Sequence, residues 1–597
     1  MYSIKDYFLI GDLHTSALVS NKGSIDWMCV PHFDSESLFG QLLDNRAGTF
    51  SVEPQDYLTA TRYVRDTAIV ETTFTKNGKS EFQIRDFMFP QAIENCAHHY
   101  LIRKLKGVRG SAKVRFLFDP RPGYGLEDIV LKKIDTTLKG VVNSHTIWLH
   151  LPENAEVQEL DQGVAIEVDI AEGETKQLVF EYSQIKESNY NHTDLEPETE
   201  SFWRSWVAKG HFFEFCRSEL VRSAITLKLM QFYRTGGIIA APTTSLPETI
   251  GGERNWDYRY VWIRDATFTL YALYVLGYTE EASKFFQFIE KIVIQGKEED
   301  FDLDLFYTIE GKRVPREKTL PHLVGYQASK PVRVGNGARD QFQLDIYGSI
   351  IDAYYFVSKR KVAFSPEIKK VVLHLVDKIE KRWQEKDNGV WESRAGAQQY
   401  IYSRIMTWVG INRAIRLCEP LGIEQKKKEE LEALEKEITD WVWKYGYNEK
   451  TNSLRQHPNT TSQDATNFLA VLLQFFDYKD PKTKEIIENT VKELGYKDLF
   501  IYRYLIDDNL DGSEGSFVLC TFWYISALAL IGEIDQAEKL FYRIRGFIHS
   551  SGLMSEEMDP DTYEYLGNFP QAFSHVGFIM TAFYLDRYKN KLRKDKL

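Results

Sequence analysis

The chain changes its hydrophobic period partway along, and that change limits the folds open to it. Up to about residue 190 apolar and polar residues alternate with a period of two; after about residue 210 the apolar residues recur at three- and four-residue spacing. The first pattern lays one face of a strand on a core, and the second lays one stripe of a helix on a core. A run of strands followed by a run of helices builds separate bodies. At 597 residues the chain is also too long for one small core.

The strand half is punctuated as hairpins require. In "AIVETTFTKNGKSEFQIRDFMF" the pair Asn77-Gly78 separates two alternating runs, the strongest short hairpin signal. "SAKVRFLFD", "HTIWLHLP" and "GVAIEVDIAEGETKQLVFEYS" continue the pattern. Many short strands with tight turns predict an antiparallel β-sandwich over residues 1–190. "DLEPETESFWRSWVAKG" predicts a helical linker over 191–215, leaving 216–597 for the helical body.

Twelve helical stretches follow, near 216–234, 264–277, 279–297, 341–359, 366–385, 402–419, 425–445, 463–477, 481–494, 517–531, 535–548 and 571–590. Their connections alternate between short and long, the long ones near 235–263, 298–340, 386–401, 446–462, 495–516 and 549–570. In an up-and-down helical array every second connection lies at the same end. Twelve helices close as a double ring, six inside six, which predicts an (α/α)6 barrel with all long loops on one face. Loops gathered on a rigid scaffold are where binding and catalysis tend to sit.

The formal charge of −12 argues against a nucleic-acid partner, whose phosphates need basic surface. The start lacks a basic region followed by an apolar stretch, and no segment runs apolar long enough for a bilayer, so neither a leader nor a membrane is expected. Five scattered cysteines without a CxxC pair fit free buried thiols in a reducing, cytoplasmic setting. Thirteen histidines without HxH or HExxH spacing predict no metal site, and the helix face "KKKEELEALEKEI" is solvated.

The long loops carry chemistry. In "DNGVWESRAG" Glu392 follows Trp391; an apolar wall disfavours a charged carboxylate and suits an acid that stays protonated near neutral pH. "GGERNWDYRYVWIRDA" sets Tyr258, Trp262, Arg264 and Asp265 together, side chains able to stack on a sugar and hold its vicinal hydroxyls. Asp265 as a helix cap is the plain alternative. "YRYLIDDNLDGSEGSF" offers Arg503, Asp507, Asp508 and Glu514, and "GLMSEEMDPDTYEYLGNFPQ" offers Glu556 and Glu557. The last pair could also open a helix or be solvated. Two carboxylates on one face among aromatics suit inverting glycoside hydrolysis, with a protonated acid and a water-activating base roughly 6.5–9.5 Å apart. Near the start, "SIDWMCVPHFDS" is unusual for a plain sandwich strand, and Phe33 and Asp34 are expected to approach the barrel face and help close the pocket.

With these residues in hand, the chain resembles glycoside hydrolase family 15, the glucoamylases and their trehalase and glucodextranase relatives, in its prokaryotic form. The likeness runs nearly end to end, through "GDLHTSALVSNKGSIDWMCVPHFDSESLFGQLLD", "GYQASKPVRVGNGARDQFQLDIYG" and "GVWESR". It implies Glu392 as general acid, Glu556 as general base, Tyr258, Trp262, Arg264 and Asp265 around the terminal glucose, and Arg503 as a further glucose-binding arginine. Ser393 stands where fungal relatives carry a second acid. The resemblance implies an inverting exo-glucosidase that releases β-glucose from α-glucans or maltooligosaccharides. The alternatives are an α,α-trehalase of the same family, a phosphorylase and a carbohydrate binder without turnover. An oligosaccharide or disaccharide is the expected partner, no cofactor is needed, and the oligomeric state is left open.

Overall fold

The computed structural model describes residues 2–595 apart from 55, 79, 95, 296–301, 360–364, 507–509, 511 and 513. Two eight-stranded antiparallel sheets form the first body. One runs in the order Tyr7–Gly11, Ser16–Ser20, Ile25–Cys29, Thr49–Val52, Ser111–Asp119, Val164–Ala171, Glu156–Glu159, with Ser37–Phe39 beside Ile25–Cys29. The other runs Lys132–Ile134, Thr137–Val142, His145–His150, Thr175–Ser183, His98–Arg109, Ser80–Met88, Val70–Lys76, Leu58–Tyr63. Asn77 and Gly78 both take positive φ, 49° and 64°, at the hairpin between Val70–Lys76 and Ser80–Met88. Phe39 and Phe118 of the first sheet meet Phe180 of the second at 6.0 and 6.1 Å between ring centroids, the centre of the sandwich core.

The first three strands are buried along their whole length, which an outer sheet would not be. The reason is a second contact face. Phe8, Ile10, Val19 and Met28 point into the sandwich, whereas Tyr7, Leu9, Leu18 and Trp27 join the core of the helical body. Period-two alternation therefore divides apolar residues between two cores instead of between core and water. Trp27 Nε1 donates to the carbonyl of Pro242 at 2.7 Å, and Tyr233 N to that of Leu13 at 2.9 Å. A helix over Glu196–Val207 joins the bodies.

The helical body contains α1 (Arg217–Leu229), α2 (Ile263–Val275), α3 (Thr279–Gln295), α4 (Asp345–Ser358), α5 (Pro366–Arg382) and α6 (Ile401–Arg416). It continues with α7 (Gln425–Gly446), α8 (Thr466–Leu472), α9 (Pro481–Leu494), α10 (Val518–Leu530), α11 (Ile534–Arg545) and α12 (Ala572–Asp595). All twelve expected stretches contain a helix; α1 and α8 each end five residues early and α12 ends five residues late. The even-numbered helices form a closed inner ring, α2 on α4, α4 on α6, then α8, α10, α12 and back to α2. The odd-numbered helices pack outside them. Composition explains the layers. Every residue of α10 is buried, as suits a helix without a charged residue, while α7 with its "KKKEELEALEKEI" face buries only Leu431, Ile438, Val442 and Gly446.

The helix α8 stops after seven residues, where the sequence pattern predicted a longer one. Gln474 takes φ 65°, its N–H reaches the carbonyl of Val471 at 3.0 Å, and Phe475 N reaches that of Ala470 at 3.1 Å. This is a Schellman ending without glycine, which left no mark in the sequence. No helix among the described residues is long and apolar enough to cross a membrane. The five cysteines are unpaired thiols, four of them buried.

Candidate active site

Each long connection precedes an inner helix, so the six gather at the N-terminal end of the inner ring. Tyr258, Trp262, Arg264 and Asp265 arrive together at the start of α2. The N-cap position is Trp262 and no side chain caps the helix, so Asp265 sits inside the first turn and the cap alternative falls away. Trp262 stacks on Phe306 at 4.2 Å and meets Tyr258 edge-on at 5.6 Å. Arg264 is the hub. Its Nη1 donates to Gln343 Oε1 at 3.0 Å and to Asp345 Oδ2 at 3.3 Å, its Nη2 to Glu392 Oε1 at 2.9 Å, and its Nε lies 3.4 Å from Asp265 Oδ1.

The loop carrying Glu392 is tied at its base. Asp387 and Gln398 pair through both backbone amides at 2.9 Å, and Asp387 Oδ2 accepts from Ser403 Oγ at 2.6 Å and Leu344 N at 3.2 Å. Between those ties the chain turns tightly enough to hold Glu392 at φ 55°, a left-handed conformation costing a non-glycine residue roughly 1–2 kcal/mol. Gln341 Nε2 donates to the Glu392 carbonyl at 3.0 Å and holds the turn. Trp391 is fixed by its own N–H, which donates to Asp464 Oδ2 at 2.9 Å, and its ring lies 5.5 Å from that of Phe517. Both Trp391 and Glu392 line the pocket, with Glu248, Trp256, Tyr258 and Arg503.

Glu556 and Glu557 are neither solvated nor at a helix start. Both are buried where the strand Glu557–Met558 begins, paired with Ser516–Phe517 and Tyr565–Leu566. Glu556 Oε2 accepts from Asn568 N at 3.3 Å, and Glu557 Oε2 accepts from Gly515 N at 2.8 Å. Gly567 is required there: it has φ 71°, and a Cβ on it would stand 2.5 Å from Glu556 Oε2. Arg503 is buried in an acidic nest, with Nη2 at 3.0 Å from Glu248, 2.6 Å from Glu514 and 3.6 Å from Glu557. Those three carboxylates lie close enough to share a cation, their nearest oxygens within 4.8 Å of one another. Arg503 and Arg254, the latter 2.9 Å from Glu514, already supply that positive charge.

So many buried acids compete for protons. Burial raises Glu392, and the Arg264 charge opposes the rise. Burial lifts Asp265 to about 7 against the pull of Arg264, and Glu248 to about 7 against that of Arg503. Glu556 is raised well above the ordinary carboxylate range, first by burial and then by the Glu248 charge. The hydrogen bond from Asn568 and the Arg503 charge oppose its burial without overcoming it. Burial first, and then the Glu556 and Glu392 charges, push the Tyr258 hydroxyl well above its usual range. Several buried polar atoms here have no hydrogen-bond partner, among them Trp262 Nε1, Arg264 Nε, Asp265 Oδ1 and Gln343 Nε2. Trp262, Arg264, Asp265, Gln343 and Glu556 are not among the residues that line the pocket, whereas Tyr258, Trp391, Glu392 and Arg503 are.

Sequence reasoning missed Glu248, Asp345, Gln343 and Asp464. Their partners lie far away along the chain, Glu248 to Arg503 across 255 positions, Asp345 to Arg264 across 81 and Asp464 to Trp391 across 73, so no local spacing singles them out. Asp507 and Asp508 lie outside the described residues. Phe33 and Asp34 approach the barrel, with Asp34 Oδ2 accepting from Ile309 N at 3.3 Å, but neither lines the pocket as expected. Phe33 instead packs edge-on against Phe232 at 6.5 Å in the shared core. His575 is buried beside Ser223, with Nδ1 at 3.0 Å from its hydroxyl, a structural role.

Comparison with known proteins agrees with this architecture. The family model described as glycosyl hydrolases family 15 matches residues 215–583, and that described as trehalase-like, N-terminal, matches residues 2–199. A protein named trehalase from Mycolicibacterium smegmatis is 34% identical, over 98% of this chain and 91% of its own length. A trehalase from Thermoplasma acidophilum is 31% identical over 95% of this chain and 97% of its own length. A bacterial glucoamylase solved with acarbose superposes with a TM-score of 0.73 at 13% identity, covering 98% of this chain and 94% of that one. That superposition identifies the sheets and helical rings as the β-sandwich and (α/α)6 barrel expected.

Proposed function

The chain belongs to glycosyl hydrolase family 15, and from that premise we propose that it hydrolyses α,α-trehalose to two glucose molecules with inversion at the carbon attacked. The observation that carries the chemistry is a pair of carboxylates brought to the same end of the inner ring, Glu392 partly buried on the connection before α6 and Glu556 buried on the connection before α12. The choice of disaccharide over the α-glucan that the sequence put first rests on the full-length trehalase relatives. The glucoamylase likeness, at 13% identity, supports the fold alone.

In this reading one glucose occupies the deep end, its hydroxyls meeting Arg264 and Asp265 and its apolar face meeting Trp262 or Tyr258. Glu392 donates its proton to the glycosidic oxygen as the C1–O bond breaks. Glu556, ionised, takes a proton from a water whose oxygen bonds C1 from the opposite face. Burial favours the protonated form of Glu392, as a general acid needs. The same environment opposes ionisation of Glu556, so the acids here share protons, and their titration belongs to the group. Arg503 stands with the acids around Glu556 and offsets their repulsion.

The test is proton NMR of the protein with trehalose, maltotriose and isomaltose in separate tubes, followed before mutarotation mixes the anomers. Inversion on trehalose releases α- and β-glucose in equal amounts, one from each half. Two α-glucoses would overturn inversion. Turnover of maltotriose or isomaltose with trehalose untouched would return the assignment to an α-glucan exo-glucosidase.

A further inference from the structure

A second cavity, of about 360 Å³, runs along the barrel axis and opens at the end opposite the catalytic pocket. Its cause is the early stop of α8. Seven residues rise roughly 10 Å, half the length of the thirteen-residue α2, and the gap is walled by Leu469, Leu472, Gln474 and Tyr478. Leu519, Phe573 and Trp523 close its inner end, and the Trp523 ring lies 6.1 Å from that of Trp391.

The lining is specific about what it accepts. Its deep polar groups are already committed: Asp352 accepts from Arg413 Nε at 2.6 Å and from Tyr271 at 2.7 Å. The rest of the Arg413 guanidinium reaches Asn412 at 2.6 Å and the Leu473 carbonyl at 2.8 Å, and Ser526 pairs with Thr581 at 2.9 Å. A sugar sunk there would lose water without gaining partners. The walls offer rings instead, including Phe268, Tyr355, Phe356 and Tyr584. The rim is cationic. Lys359 and Arg587 are exposed and form no ion pair with a carboxylate among the described residues, Lys359 lying over the Tyr355 ring at 4.3 Å.

We propose that this cavity is a binding site for a small amphiphilic anion, its flat aromatic body among the rings and its acidic head between Lys359 and Arg587. Size and lining suit a ligand of one or two fused rings, since pockets of roughly 300–1,000 Å³ lined by aromatic side chains enclose such molecules. The site is separate from the catalytic pocket and does not depend on which sugar is cleaved there.

The full-length protein is titrated with 8-anilinonaphthalene-1-sulfonate and, separately, with its uncharged counterpart N-phenyl-1-naphthylamine, both followed by fluorescence. One equivalent of the sulfonate is expected to bind. The double variant Lys359→Glu/Arg587→Glu, altered only at exposed positions, should weaken the sulfonate at least tenfold and leave the neutral probe unchanged. Leu472→Trp, which fills the gap below α8, should abolish both. Absence of stoichiometric binding overturns the proposal, as does sulfonate binding indifferent to the charge reversal. Should Leu472→Trp fail to fold, the charge variant decides alone.

Discussion

Arg264 Nη2 lies 2.9 Å from Glu392 Oε1, joining the start of α2 to a loop 128 positions later. The same guanidinium reaches Asp345 at the start of α4. One side chain thus orients the proposed acid and opposes the effect of its burial. Arg264→Met is expected to lower kcat/KM by about a hundredfold or more through misplacement. The sign of its pH effect follows from the charge. Losing a cation raises the pKa of Glu392, and an acid that must be protonated then works to higher pH, so the alkaline limb of the kcat profile should move up. An unmoved limb would separate Arg264 from the acid's titration.

The two carboxylates can be told apart by leaving group. Glu392→Gln and Glu556→Gln should each slow trehalose hydrolysis by about 10²–10⁴-fold. α-Glucosyl fluoride departs as fluoride and needs little protonation, so the Glu392 variant should recover most of its rate on it, while the Glu556 variant should not. Equal loss on both substrates by both variants would leave the acid and base roles unassigned to these residues.

Glu248 sets the proposed base. Its charge follows burial among the causes that raise Glu556, so Glu248→Gln should lower the Glu556 pKa. A base works when ionised, and the acid limb of kcat/KM should therefore shift to lower pH. The wild-type limb should lie above the ordinary carboxylate range. A wild-type limb near 4.5, the ordinary glutamate value, would contradict the burial argument.

These roles were unevenly legible in the sequence. The barrel could be read because alternating loop lengths are a one-dimensional trace of a ring of antiparallel helices. Glu392 and Glu556 stand out as candidates because each sits in a loop too rich in aromatic and charged residues for a connector. Nothing local marks Asp464, whose work is to fix Trp391 from 73 positions away, or Glu248, which meets its arginine from 255 positions away. Such pairings exist only once the rings close. The end of α8 was missed for a different reason: its left-handed residue is Gln474, where a glycine would have announced the stop.

The last prediction concerns the seam between sheet and barrel, where His99 Nδ1 lies 2.6 Å from Asp12 Oδ2 with both side chains fully buried. Burial alone would depress His99, but the Asp12 charge and hydrogen bond outweigh it and lift the imidazole to about 10, from an ordinary 6.5. A base whose pKa is raised on folding stabilises fully below its unfolded value and loses that contribution as pH climbs to its folded one. Stability should therefore fall between pH 6.5 and about 10. On the acid side, His32 faces His99 at 6.5 Å between centroids and is held down to about 4, chiefly by burial. A neutral buried imidazole resists charging, so stability should also fall as pH drops below 6.5 towards 4. Urea unfolding across that range should give a maximum near neutrality. His99→Gln leaves Asp12 buried without its cation and should cost about 3–5 kcal/mol at pH 6.5. Its alkaline slope should flatten while the acid slope remains. A wild-type curve level from pH 7 to 9.5 would mean that the Asp12–His99 pair carries no net charge separation.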